Sequence, residues 1–317
     1  MQAAIVTKAG EVPQYGTFTD PVPEKEEKLV KVKAAAIHQV VKLVAAGTHY
    51  SSGGHYPFVA GVDGVGELED GSRVYFVGMR KPYGTMAEWG IGNSKWMLPL
   101  PDGVSDVTAA AIFNPAMSSW LALRHRAQLQ PGETVLILGA TGTSGKLAVQ
   151  IAKEQGAGKV IAVGRNKAIL EQLYDLGADE CIALDKSYEE LVKTFAAQSY
   201  DVVIDYLWGE PATALIEGVT GKSLMKEAPR TRFIQVGAMA GSHISLPAAP
   251  LRSTRLEIMG SGGGSIAPEA IFAAFPEVIS LAAAGRLTIH TLEMPLKEVT
   301  EAWHKHPADG SRIVLVP

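Results

Sequence analysis

Residues 135–145 read Val135-Leu136-Ile137-Leu138-Gly139-Ala140-Thr141-Gly142-Thr143-Ser144-Gly145. Four consecutive apolar side chains suit a strand buried on both faces, and the glycines that follow at once permit a tight turn. A helix is expected next, because Leu147, Ala148, Ile151 and Ala152 recur at helical spacing. Glycine lets backbone approach a ligand closely, and a helix start offers free N–H groups and the positive end of its dipole, so the stretch suits a diphosphate. The candidate contacts are Gly139, Thr141, Gly142, Thr143, Ser144 and Gly145. Their spacing, G-x-x-G-x-x-G, departs from the dinucleotide fingerprint G-x-G-x-x-G, so the motif takes its weight from its surroundings.

Those surroundings alternate apolar strands with helical segments. Strands are expected at 134–138, 160–163, 181–183, 202–204, 233–236 and 256–259. That pattern predicts an α/β fold with a Rossmann doubly wound parallel sheet, which binds its ligand outside the carboxyl ends of the strands. The second of these strands runs into Gly164-Arg165-Asn166-Lys167. An acidic residue there would bind the ribose hydroxyls of NAD. Glycine leaves room for a 2′-phosphate that Arg165 can grip bidentately, with Lys167 as a second charge, so the cofactor expected is NADPH in preference to NADH. The competing reading of Arg165 is a solvated arginine that merely begins the next helix.

Upstream, short β-patterned runs at 3–7, 28–36, 62–68, 73–77 and 86–91 are separated by Gly, Pro and Asp, which predicts a compact β-rich domain. Downstream of Gly260-Ser261-Gly262-Gly263-Gly264 come a helix at about 268–284 and β-like runs at 287–294 and 313–316. These lack helical partners in the parallel pattern and are expected to complete the N-terminal domain. The predicted division is therefore 1–114 and 263–317 for the β-rich domain, with 115–262 as the dinucleotide-binding domain between them.

Composition narrows the partners. With 29 basic against 33 acidic side chains, a formal charge of −4 and no dense Lys/Arg run, nucleic acid is not an expected partner. The start of the chain has no basic segment followed by an apolar one, and the uncharged stretch at 233–251 is broken by Gly and Pro, so neither secretion nor membrane insertion is expected. A single cysteine, Cys181, excludes an intrachain disulfide and a multi-cysteine zinc site; a reducing cytoplasm is the simplest home. Cys181 itself reads as a small hydrophobe in a short strand.

Several further stretches carry a resemblance: Leu129-Gln130-Pro131-Gly132-Glu133-Thr134-Val135, Ala148-Val149-Gln150-Ile151-Ala152-Lys153, Gly177-Ala178-Asp179, Asp201-Val202-Val203-Ile204-Asp205 and Gly61-Val62-Asp63-Gly64-Val65-Gly66. Taken with the glycine turn, the sequence resembles the medium-chain dehydrogenase/reductases over nearly its whole length, and most of all their zinc-independent quinone oxidoreductases. The resemblance implies a β-rich, GroES-like catalytic domain made from both chain ends around a central Rossmann domain, and a homodimer formed through the edge of the nucleotide sheet. It also implies no metal. His38 stands where the zinc branch has its first Cys and Val62 where it has a ligand His, and no cysteine lies near 114–119. Lacking a Lewis acid, such a protein needs a substrate that is already electrophilic, a quinone or, alternatively, an enal or enone.

By the same resemblance Tyr50, in Gly47-Thr48-His49-Tyr50, is the first candidate for proton donor, with His49 and Tyr56 as rivals. An aromatic lid without chemical role is the bland reading of Tyr50. His38 replaces the Asn that often lies beside the cofactor. Ser118 falls at the hydroxyl position on the nicotinamide side, and Val236-Gly237 with Gly260-Ser261-Gly262 resemble backbone walls there, although turns after strands favour glycine anyway. A reading of a different class is a nicotinamide-binding structural protein with little catalysis.

Overall fold

The computed structural model describes residues 1–221 and 230–317. It divides into two compact units, one of residues 1–115 and 275–317 and one of residues 116–274.

The first unit is β-rich. Its strands are β1 (Gln2–Val6), β2 (Gln14–Thr17), β3 (Glu27–Ala36), β4 (Phe58–Val59), β5 (Asp63–Glu67), β6 (Arg73–Val77), β7 (Trp89–Asn93) and β8 (Met97–Pro99), with the short helix α1 (Gln39–Ala45) after β3. Of the two strands from the far end of the sequence, the later (Arg312–Val316) pairs antiparallel with β3 through Val314 opposite Ala36, so both ends of the sequence build one sheet. The core gathers Ala4, Val6, Phe58 and Met86 with Leu296, Val299, Ile313 and Leu315. The run expected as a strand at 86–91 is split. Met86 and Glu88 bond across to Ala60 and Gln2, and the strand proper starts at Trp89 against β3. The expected strand at 287–294 is shortened to Thr291–Pro295, because Arg286 and Leu287 still bond back to Leu281 and close the preceding helix.

Helix α2 (Asp106–Leu121) carries the chain into the second unit. There the strands are β9 (Thr134–Leu138), β10 (Lys159–Gly164), β11 (Glu180–Ala183), β12 (Val202–Asp205), β13 (Arg230–Gln235) and β14 (Arg255–Gly260), in the order β11-β10-β9-β12-β13-β14, every pair parallel. Helices α3 (Thr143–Glu154), α4 (Lys167–Gln172), α5 (Tyr188–Ala196), α6 (Gly209–Val219) and α7 (Ala248–Ser253) alternate with them. Val135 to Leu138 are wholly buried, as an apolar run covered on both faces must be. The predicted strands fall within a few residues of the observed ones, which is the doubly wound α/β fold. Helix α8 (Pro268–Ala283) returns the chain to the β-rich unit, where β15 (Thr291–Pro295), α9 (Val299–His304) and β16 (Arg312–Val316) complete it. Among the described residues no helix is long and apolar enough to cross a membrane.

Candidate functional site

The strand order reverses between β9 and β12, and the loops leaving their carboxyl ends lie side by side, since Leu138 is paired with Asp205. This is the crevice where doubly wound sheets take their ligands. The glycines of the β9 turn do different jobs there. Gly139 has φ +94, in the left-handed region, and its N–H and that of Ala140 both donate to the Val163 carbonyl at 2.9 Å. Gly145 lies in the first turn of α3, where a Cβ would come within 2.3 Å of the Gly139 oxygen and 2.5 Å of the Ala140 Cα. Helix and turn can therefore touch only through glycine. Gly142 is another matter. It caps α3 with φ −80 and ψ 165, ordinary for any residue, and a Cβ there would meet nothing nearer than the Gly139 oxygen at 3.6 Å. Among the described residues nothing demands a glycine at 142, and the N-cap position offers no side chain to the N–H groups that open α3 at Thr143, Ser144 and Gly145. That is a cradle a side chain would fill, and it fits a dinucleotide diphosphate.

At the end of β10, Gly164 is buried against Thr141, whose Cγ2 would lie 2.4 Å from a Cβ. Arg165 is exposed and, among the described residues, makes no hydrogen bond or ion pair. Asn166 caps α4, its side-chain oxygen accepting from the Ile169 N–H at 3.2 Å. Lys167 is already paired with Asp185 at 2.5 Å. Of the two cations that the sequence offered for a phosphate, the structure leaves Arg165 uncommitted and Lys167 engaged.

On the other side of the reversal, Ser118 on α2 shares a 3.0 Å hydrogen bond with the Tyr206 hydroxyl. Burial pushes that phenol up to about 12, with the Ser118 and Ser119 hydroxyls working against the rise. The N–H groups of Val236 and Gly237 donate to the Asp205 carbonyl at 2.8 and 3.0 Å, and the Ser261 N–H donates to the Gln235 carbonyl at 2.8 Å. The Gly260 carbonyl accepts from Arg126 Nε at 2.9 Å, and the Gly262 N–H donates to Ser265 Oγ at 2.8 Å. These residues thus follow neighbouring parallel strands at one edge of the sheet.

The candidate proton donors Tyr50, His49 and Tyr56 lie in the β-rich unit, as does His38; the Tyr56 ring rests against Phe58 with centroids 5.3 Å apart. His49 and Tyr50 stack with ring centroids 4.0 Å apart, and His49 Nδ1 lies 2.6 Å from Ser51 Oγ. Burial lowers the His49 pKa, while Tyr50 is 80% exposed. His38 is enclosed instead, 2% exposed, with Nε2 3.4 Å from the Asp63 carboxylate and, among the described residues, no hydrogen-bond partner for either ring nitrogen. Tyr75 donates to Asp63 Oδ2 at 2.5 Å, and burial together with that carboxylate holds its phenol well above the usual range. The sequence reading missed Asp63–Tyr75, although a carboxylate inside the glycine-rich β5 was a visible signal. It also assigned no role to Asp205, an acid closing an apolar strand.

A glycine turn at the reversal of a doubly wound sheet, with an uncapped helix behind it, defines a Rossmann-fold protein, here with a β-rich GroES-like unit built from both ends of the sequence. A family model described as "Zinc-binding dehydrogenase" matches residues 145–284. The probable NADPH-dependent quinone reductase tdiC of Emericella nidulans is 29% identical, with the whole of both chains covered. A quinone oxidoreductase of Rattus norvegicus is 30% identical over 199 residues, so the chain spans 59% of that protein's length and 59% of its own. The quinone oxidoreductase of Thermus thermophilus, whose structure has been solved alone and with NADPH, superposes with a TM-score of 0.83 over the whole of both chains at 24% identity, a likeness of fold. The chain is thus similar to zinc-binding dehydrogenases over residues 145–284 and to quinone reductases and oxidoreductases, and it shares the fold of the latter.

The zinc in the family model's description can be tested against the donors. Among the described residues no group of three or more His, Cys, Asp or Glu side chains could hold a metal ion. His38 and Asp63 form a pair without a third such ligand, and one Asp63 oxygen already serves Tyr75. Cys181 lies in the other unit, its thiol donating to the Leu170 carbonyl. The described residues do not fit a zinc site.

Proposed function

We propose that the chain is an NADPH-dependent oxidoreductase that reduces quinones by hydride transfer. The observation that carries this reading is the open start of α3, where Gly142 keeps clear a cradle that the fold itself does not require. The relatives named as NADPH-dependent quinone reductase and quinone oxidoreductase support the cofactor and the substrate class. In this reading the N–H groups of Thr143, Ser144 and Gly145 hold the diphosphate, and Arg165 grips the 2′-phosphate beside Gly164. Ser118, with the backbone of Val236–Gly237 and Gly260–Gly262, lines the nicotinamide half.

NADPH, when bound, supplies the hydride. A quinone that accepts one hydride and one proton becomes a hydroquinone, so the chain must orient the acceptor and let a proton reach its oxygen. We assign that proton to Tyr50, which solvent can re-protonate and which His49 steadies by stacking.

The test is loss of reduced-nicotinamide absorbance with a panel of quinones, enones and aldehydes, for the native chain and Tyr50→Phe. Quinones should be turned over fastest, and the variant should lose kcat more than KM. Preference for enones would replace the substrate assignment, and absence of turnover with tight NADPH binding would favour a structural role. Arg165→Ala should narrow the NADPH over NADH preference by about 1.5–3 kcal/mol, the usual size of a charge-assisted contact. An unchanged ratio would remove Arg165 from the site.

A further inference from the structure

Asp205, the last residue of β12, is wholly buried, yet the chemistry above does not use its side chain. Its carboxylate accepts from the main-chain N–H of Leu207 at 2.7 Å and from that of Trp208 at 3.0 and 3.2 Å. Among the described residues no cation pairs with it, and burial pushes the carboxyl up to about 6. Near neutral pH the fold thus keeps an anion where burial disfavours one, and two backbone donors are its compensation.

The turn it holds is strained. Trp208 has φ 55 and ψ −158, a combination close to one reserved for glycine. Gly209 follows at φ +61, where a Cβ would meet the Ala240 oxygen at 2.7 Å. Two positive-φ residues in succession fold the chain back sharply between β12 and α6. The Ala240 N–H reaches the Leu207 carbonyl at 2.7 Å and anchors the turn from outside.

This turn also fills the space beside the glycine loop. A Cβ at Gly139 would lie 3.1 Å from Leu207 Cδ2 and 3.2 Å from Tyr206 Cβ, and one at Gly237 would lie 2.7 Å from the Tyr206 oxygen. Tyr206 carries the hydroxyl that pairs with Ser118. Where the turn sits therefore decides where the glycine loop, the Val236–Gly237 backbone and the hydroxyl pair sit.

We propose that Asp205 is a positioning residue for the dinucleotide: its carboxylate locks Trp208 in the left-handed conformation and so fixes Tyr206 and Leu207 as the wall between the Gly139 turn and Gly237. The proposal rests on the reading that this edge of the sheet binds NADPH.

The experiment is a double-mutant cycle on NADPH affinity, read by the change in nicotinamide fluorescence on binding, with thermal midpoints taken alongside. Asp205→Ala should weaken binding about tenfold or more, whereas Asp205→Asn, which keeps an acceptor oxygen, should stay within roughly threefold. On a Trp208→Gly background, where no side chain resists the conformation, Asp205→Ala should cost roughly threefold or less. Equal losses on both backgrounds, or full affinity in Asp205→Ala, would overturn the proposal. Native protein that fails to bind NADPH would overturn the functional reading along with it, whereas tight native binding with an indifferent Asp205 would overturn this inference alone. Should Asp205→Ala not fold, amide hydrogen exchange of the native chain decides. Leu207 and Trp208 amides protected like the β12 core are expected, and loop-like exchange would sink the idea.

Discussion

Replacing Gly142 and Gly145 separately with alanine distinguishes a glycine kept for a ligand from one kept for packing. At Gly145 the new methyl would stand 2.3 Å from a carbonyl oxygen and 2.5 Å from a Cα, both backbone atoms that cannot swing aside. Such overpacking costs about 1–3 kcal/mol or more, and Gly145→Ala should lower the midpoint of chemical unfolding accordingly. At Gly142 the methyl meets only an oxygen at 3.6 Å, and the φ of −80 suits alanine. Folding should then be unharmed or improved by about 0.4–1 kcal/mol, because alanine restricts the unfolded chain. NADPH binding should suffer instead. A methyl in the cradle holds the diphosphate off the N–H groups of α3, and losing one hydrogen bond to a charged group costs about 1.5–3 kcal/mol, a rise in Kd of about tenfold to hundredfold. Urea unfolding and fluorescence titration with NADPH measure the two quantities on the same samples. A Gly142→Ala protein that binds NADPH like the native chain, or that unfolds as readily as Gly145→Ala, would refute the reasoning.

Other expectations follow from single contacts. Lys167→Ala should leave NADPH affinity within roughly threefold in titration, because Lys167 is spent on Asp185. Tyr75→Phe removes the donor to a buried Asp63 oxygen, so urea unfolding should show a loss of about 1–3 kcal/mol. For Asp205, a carboxyl raised from 3.8 to about 6 binds its proton more tightly in the folded chain than in the unfolded one. Its stabilising contribution is present at low pH and lost as pH rises through 6. The stability of the native chain minus that of Asp205→Asn should therefore fall by about 2.4 kcal/mol between pH 4 and 7. A flat difference would show that the burial of this carboxyl has been misjudged.

The nucleotide unit was legible because its strands are unbroken apolar runs and its helices keep their spacing, signals that local sequence carries by itself. Strands Phe58–Val59 and Met97–Pro99 were not, being too short for any periodicity to emerge, and neither was Gln14–Thr17, a mostly exposed strand without an apolar run. The glycine motif could be quoted from sequence, but the separate duties of Gly139, Gly142 and Gly145 could not. Those depend on which atoms stand opposite each Cα. His38, Asp63 and Tyr75 meet only because β5 and β6 pair and β3 hands over to α1 beside them. The left-handed Trp208 is still harder to foresee, since nothing local favours a tryptophan there.

Because β16 supplies a partner for β3, the β-rich sheet stays unfinished until residues 312–316 have been translated, while residues 116–274 are contiguous. On the ribosome the nucleotide unit can close first, and the amino-terminal strands must wait with one edge bare. Chaperone dependence should accordingly concentrate on that early segment.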